Sequence, residues 1–165
     1  KELKFNVIDP LFDLYRTSGE YRNLAFIALR EFGQDGLLPE SRVETLLGMS
    51  LMDYPDRDEF YRCFSAITHN HYIPAIMRFV NNLLENEKKL GGTHKWRVHS
   101  EGWIIFYVMN EILRIFESDI EKIIPLLTEE FLLKLLKEIL KEEDKNMQLN
   151  FFELLNRLSN LRLQN

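Results

Sequence analysis

With 165 residues, 45% of them hydrophobic and 12 of them Phe, the chain is long and apolar enough to bury a core, which excludes the disordered class. Twenty-one Lys and Arg against 26 Asp and Glu leave a formal charge of −5, the wrong sign for non-specific coating of a phosphate backbone. Only 7 Gly and 5 Pro exclude a turn-dense all-β fold, and the single cysteine, Cys63, excludes an internal disulfide.

In chain order, the first helix is predicted over Val7 to Arg16, with a turn at Thr17-Ser18-Gly19 and a second helix over Glu20 to Phe32. In that second helix Leu24, Ile27, Ala28 and Glu31 fall at i, i+3, i+4 and i+7, and Tyr21, Ala25 and Phe32 widen the apolar stripe. Gly33-Gln34-Asp35-Gly36 ends it. Pro39 suits the first turn of a third helix, which runs to about Met52 through Val43, Leu46, Leu47, Met49 and Leu51. Asp53-Tyr54-Pro55-Asp56 breaks the chain, and a fourth helix follows with Asp56 to Glu59 at its positive end and Phe60, Cys63, Phe64 and Ile67 on its buried side. A further hairpin is predicted from Tyr72 to Glu87 and from His94 to Phe116, joined around Gly91-Gly92. Within it, Trp103 to Met109 lacks any polar face, which predicts a central helix enclosed by its neighbours. Ser118 and Glu121 fit a capping box, and Thr128 restarts a helix after Pro125. Phe131 to Leu140 supplies an apolar face, Glu142 to Lys145 a charged turn, and Phe151, Leu154, Leu155, Leu158 and Leu161 a last stripe. No segment alternates with period two, so the expected fold is all-α: about eight helices as four stacked antiparallel hairpins.

Three stretches share a Pro-headed apolar segment that leads to a second apolar segment: Ile8-Asp9-Pro10-Leu11-Phe12 to Phe32, Ile73-Pro74-Ala75-Ile76-Met77 to Phe116, and Ile124-Pro125-Leu126-Leu127 to Leu158. Such a degenerate period marks stacked helical hairpins. The last unit, which closes with Leu158-Ser159-Asn160-Leu161, resembles one full armadillo repeat, and the whole chain resembles the armadillo/HEAT class of helical repeats. The resemblance implies a short right-handed superhelix in which the second helix of each hairpin lines a concave face. It also implies that groove residues sit on those second helices. Asn160 matches the groove asparagine of peptide-holding armadillo proteins, while Asn156 stands where those proteins carry a Trp. The expectation is one helical domain over 1–165. Because the chain opens on Lys1 and stops inside an apolar pattern, it is also read as a fragment of a longer protein.

Motifs for chemistry are weak. His69-Asn70-His71 lacks the ββα metal fold that a nuclease of that motif needs. His94 and His99, five apart, diverge by about 140° on a helix and make a poor ligand pair. No G-x-S-x-G elbow or phosphate-binding loop occurs, and Cys63 falls on an apolar helix face, so neither a catalytic residue, a cofactor nor a metal is expected. One segment opposes the overall charge: Lys88, Lys89, His94, Lys95, Trp96, Arg97 and His99 combine four cations, two histidines and a Trp around a glycine pair. Trp and Arg are enriched at binding hot spots, so these seven residues, with Asn156 and Asn160, are the expected partner-binding set.

The function expected from all this is a non-enzymatic interaction domain, a scaffold or adaptor that binds a peptide or helix of another protein. Two alternatives stand beside it. One is RNA or phospho-ligand binding through 88–99, which the charge of −5 disfavours. The other is self-association as a homodimer through an open C-terminal stripe that includes Leu158. No apolar run reaches the roughly 20 residues that span a bilayer, and no Asn-x-Ser/Thr occurs, so no membrane and an intracellular location, cytoplasm or nucleus, are expected.

Overall fold

The computed structural model describes residues 6–54, 58–68, 72–85, 101–115, 120–141 and 143–164. Among them all regular structure is helical, without a strand. The elements are α1 (Ile8–Thr17), α2 (Arg22–Gln34), α3 (Glu40–Met52), α4 (Asp58–Thr68), α5 (Ile73–Glu85), α6 (Glu101–Ile115), α7 (Ile120–Ile123), a 3-10 turn at Ile124–Leu126, α8 (Glu129–Lys141) and α9 (Lys145–Gln164). The all-α expectation therefore holds. The chain divides into two compact units, Lys1–Ile76 and Met77–Asn165, and α5 carries it from one into the other. No helix of the described residues is long and apolar enough to cross a membrane.

In the first unit α1 packs against α2 and α3 against α4, giving two helical hairpins, and α2 packs in turn against α4. Local chemistry sets their ends. The Asn6 side chain accepts from the Asp9 backbone N–H at 3.3 Å and donates to the Asp9 carboxylate at 3.0 Å, closing the first turn of α1, where Pro10 has no N–H to offer. At the end of α2, Gly36 adopts φ 72°, its N–H reaches the Gly33 carbonyl at 3.2 Å, and Leu37 N–H reaches the Phe32 carbonyl at 2.9 Å. This paired arrangement satisfies carbonyls that a helix end leaves open, and it requires the left-handed residue that glycine supplies. Pro39 stands one residue ahead of α3, in extended conformation, rather than inside its first turn.

Phe12, Phe26, Leu29, Leu46, Leu47, Phe60, Phe64 and Ile67 are buried in this unit, and Phe60 and Phe64 stack with ring centroids 6.0 Å apart. Each such side chain is worth about 1.5–3 kcal/mol relative to full exposure. Arg42 ties α3 to α1 by pairing with Asp9 and lying 5.0 Å over the Phe12 ring. Asp9 is held below the ordinary carboxylate range by its bond to Asn6 and then by Arg42.

In the second unit α8 and α9 form a hairpin, and α9 packs against α6. The charged turn places Asp144 to cap α9: its carboxylate accepts from the N–H groups of Asn146 and Met147 at 2.9 and 3.2 Å. Thr128 caps α8 as expected, accepting from Phe131 N–H at 3.1 Å. Pro125 lies in the 3-10 turn that follows α7. Phe106 of α6 meets Phe151 of α9 edge to face at 5.2 Å, and Arg157 of α9 donates to the Asn110 side chain at 3.3 Å. Of the run read as an enclosed central helix, Val108 and Met109 are buried and Phe106 and Tyr107 half-buried, while the side chains of Trp103 to Ile105 lie outside the description. Ser118, the proposed start of a capping box, lies outside the described residues.

Candidate functional site

The second helix of the first hairpin buries a different face from the one its spacing predicts. Ala25, Phe26, Leu29 and Gly33 are buried, whereas Tyr21, Leu24 and Ile27 are exposed, Leu24 at 63%. Apolar residues extend around α2 well beyond the width of one buried stripe, and the expected stripe also takes in Glu31, with Asn23, Arg30 and Gln34 beside Ile27. The neighbours decide: α1, α3 and α4 cover the Phe26/Leu29 side.

Gly33 sets how closely α2 and α4 approach, since a Cβ there would sit 3.1 Å from Cγ2 of Ile67. Three contacts show that the two helices run parallel. At their N-terminal ends the Tyr54 hydroxyl, just ahead of α4, donates to the Asn23 side chain at 3.5 Å. Further along, Arg30 pairs with Glu59 at 3.3 Å, and Gly33 faces Ile67. Parallel second helices are what two hairpins stacked side by side in the same sense produce, an arrangement compatible with a helical repeat.

Between α2 and α4 runs an open groove with two recesses. The first, about 430 Å³, is lined by Asn23, Phe26, Ile27, Tyr54, Asp58, Glu59 and Arg62. The second, about 450 Å³, is lined by Arg30, Gln34, Tyr61, Arg62, Ser65 and Ala66. Arg62 borders both. Asn23, Ile27, Arg30 and Gln34 follow one another at i, i+4, i+7 and i+11, which places them along one face of α2. Glu59 holds both arginines, Arg30 at 3.3 Å and Arg62 at 2.9 Å. These arginines differ in exposure: the Arg62 side chain is mostly open to solvent and that of Arg30 is largely covered.

The N-terminal end of the groove is stiffened by an aromatic and charged cluster. Tyr15 of α1 donates its hydroxyl to Asp53 at 2.8 Å and accepts from Arg22 at 3.0 Å, and the Arg22 guanidinium lies 4.5 Å over the Tyr15 ring. Arg22 also pairs with Asp53 at 3.3 Å. Phe26 packs 4.9 Å from the Tyr54 ring. Burial, then the hydrogen bond to Asp53, pushes the Tyr15 phenol well above its ordinary value. The bond that Arg22 donates to Tyr15 in turn raises Arg22, and burial raises Tyr54.

Cys63 is buried beside the Ser50 hydroxyl, and burial pushes its thiol up to about 12. A protonated thiol without solvent access is no nucleophile. Among the described residues no group of three or more His, Cys, Asp or Glu side chains is placed to hold a metal ion.

Of the expected binding residues, Lys88, Lys89, His94, Lys95, Trp96, Arg97 and His99 lie outside the described residues. Asn156 and Asn160 are exposed on α9, in the second unit, on the same outward face as Leu149, Phe152 and Leu163. Leu158 is not part of an open stripe: it is fully buried, because it faces inward with Phe151 and Leu154. The groove residues of α2 and α4 were missed from sequence, where Asp58 and Glu59 read only as charges that complement a helix dipole. The signal that marks them is the polar series Asn23, Arg30 and Gln34 on one helix and Asp58, Arg62 and Ser65 on the next, each at helical spacing. No protein-family model, curated protein or solved structure matches the chain.

Proposed function

We propose that the chain is a non-enzymatic protein-interaction domain of armadillo/HEAT-like hairpins that docks a peptide or helix of another protein along α2 and α4. One observation carries the reading: the two parallel second helices leave two neighbouring recesses, with Arg62 bordering both, whose lining mixes exposed apolar surface with charged and hydrogen-bonding groups. Solenoids of helical hairpins present extended partner surfaces in this way. Ile27, 40% exposed at the middle of the groove wall, supplies apolar contact area. The inert setting of Cys63 agrees with a binding role rather than covalent chemistry. We assign the domain to the cell interior.

A random nine-residue peptide library displayed against the full chain, counter-selected against Ile27→Asp, tests this directly. Binders that prefer the wild-type chain are expected; a library that yields none dependent on Ile27 rejects the groove as the docking site.

A second reading rests on sequence alone: the cations and Trp of 88–99 suit RNA or a phosphorylated ligand. Its mark is steep loss of single-stranded RNA binding with rising salt, absent in a Lys95→Glu/Arg97→Glu variant.

A further inference from the structure

The two ends of the α2/α4 groove differ in charge, and that difference defines the peptide. The first recess holds two carboxylates, Asp58 and Glu59, against the one cation Arg62, beside the apolar surface of Ile27, Phe26 and Tyr54. The second contains no carboxylate: Arg30, Arg62, Gln34, Ser65 and Tyr61 line it, all side chains able to donate a hydrogen bond. Glu59 sits between the arginines and offsets one of their two charges, so the second recess keeps a net charge near +1. One carboxylate matches that charge, whereas a phosphate of nearly two negative charges exceeds it. Both guanidiniums are already ordered by Glu59, so a ligand carboxylate meets donors held in place rather than free side chains.

Length follows from helix geometry. Asn23 to Gln34 spans roughly 16 Å at the helical rise, which about five residues of extended peptide cover. From Ile27, Arg30 and Gln34 lie roughly 4.5 and 10.5 Å further along the axis, or about one to three extended residues.

We infer, building on the docking role proposed above, that the groove binds an acidic peptide segment: an apolar side chain on Ile27 and Tyr54, and an Asp or Glu one to three residues away between Arg30 and Arg62.

The sequences recovered from the peptide library, together with a parallel selection on Arg62→Glu, test the inference. The most enriched wild-type peptide is then synthesised with a fluorophore and its affinity measured by anisotropy on the wild type, Arg62→Glu and Ile27→Asp chains, with thermal unfolding recorded for each. The expected result is enrichment of an apolar residue followed or preceded by Asp or Glu at that spacing. Arg62→Glu should bind the peptide about tenfold or more weakly and should itself select Lys or Arg at the acidic position, a gain that a misfolded chain does not give. Peptides that depend on Ile27 but carry no acidic preference, and bind Arg62→Glu as tightly as wild type, would overturn the acidic assignment and leave the docking groove standing. If no recovered peptide depends on Ile27, the groove reading itself falls.

Discussion

Two glycines show how differently the same residue type acts at different places. Gly36, at φ 72°, ends α2 in a conformation that costs a residue with a Cβ roughly 1–2 kcal/mol. Gly48 lies inside α3, where a Cβ would meet nothing within 4 Å. Gly36→Ala is therefore expected to lower the unfolding free energy by about 1 kcal/mol. Gly48→Ala should raise it by about 0.5–1 kcal/mol through backbone propensity, both effects being readable from urea midpoints at constant m-value. The Gly33-to-Gly36 cluster was legible in the sequence as a helix stop, because turn chemistry is local. The open space around Gly48 was not, because it depends on what the neighbouring helices leave uncovered.

Between elements, α2 and α4 approach closely at Gly33. Gly33→Val puts branched carbon against Ile67, Leu38 and Leu46, so the helices must separate, at a cost of about 1–3 kcal/mol. The same substitution should also weaken any peptide that bridges the groove, since its walls move apart. A binding titration on chains confirmed as folded by circular dichroism checks this. At the α8/α9 turn, Asp144→Ala removes the acceptor for two helix-end N–H groups, and a loss of about 1 kcal/mol in denaturant unfolding is expected, while Asp144→Asn should retain most of the stability. These caps were legible as a charged turn and as Thr128 after Pro125. Their registers follow from one or two residues and need no tertiary information.

For the molecule as a whole, pH acts through groups that burial keeps protonated. Cys63, Tyr15, Tyr54 and Tyr72 all have raised values, burial being the leading cause in each. The unfolded chain releases these protons first, near about 8.5 for a thiol and about 10 for a phenol, while the folded chain still holds them. Stability from these groups is therefore complete below about pH 8.5 and falls as pH rises beyond it. Thermal unfolding between pH 7 and 11 should show a falling midpoint over the upper half of that range, and Cys63→Ala should flatten part of the decline. The sequence by itself determined the all-helical class, the approximate bounds of the α1/α2, α3/α4 and α8/α9 hairpins and the buried faces of α3 and α4, because capping residues, Pro, Gly and a one-sided apolar stripe act within a few residues of one another. Only the tertiary structure decided which face of α2 is buried and that α2 and α4 lie parallel with Arg30, Glu59 and Arg62 along one groove. The reason is physical: when apolar residues extend around a helix beyond one stripe, its periodicity leaves open which part of them is covered, and the neighbours that pack against it decide.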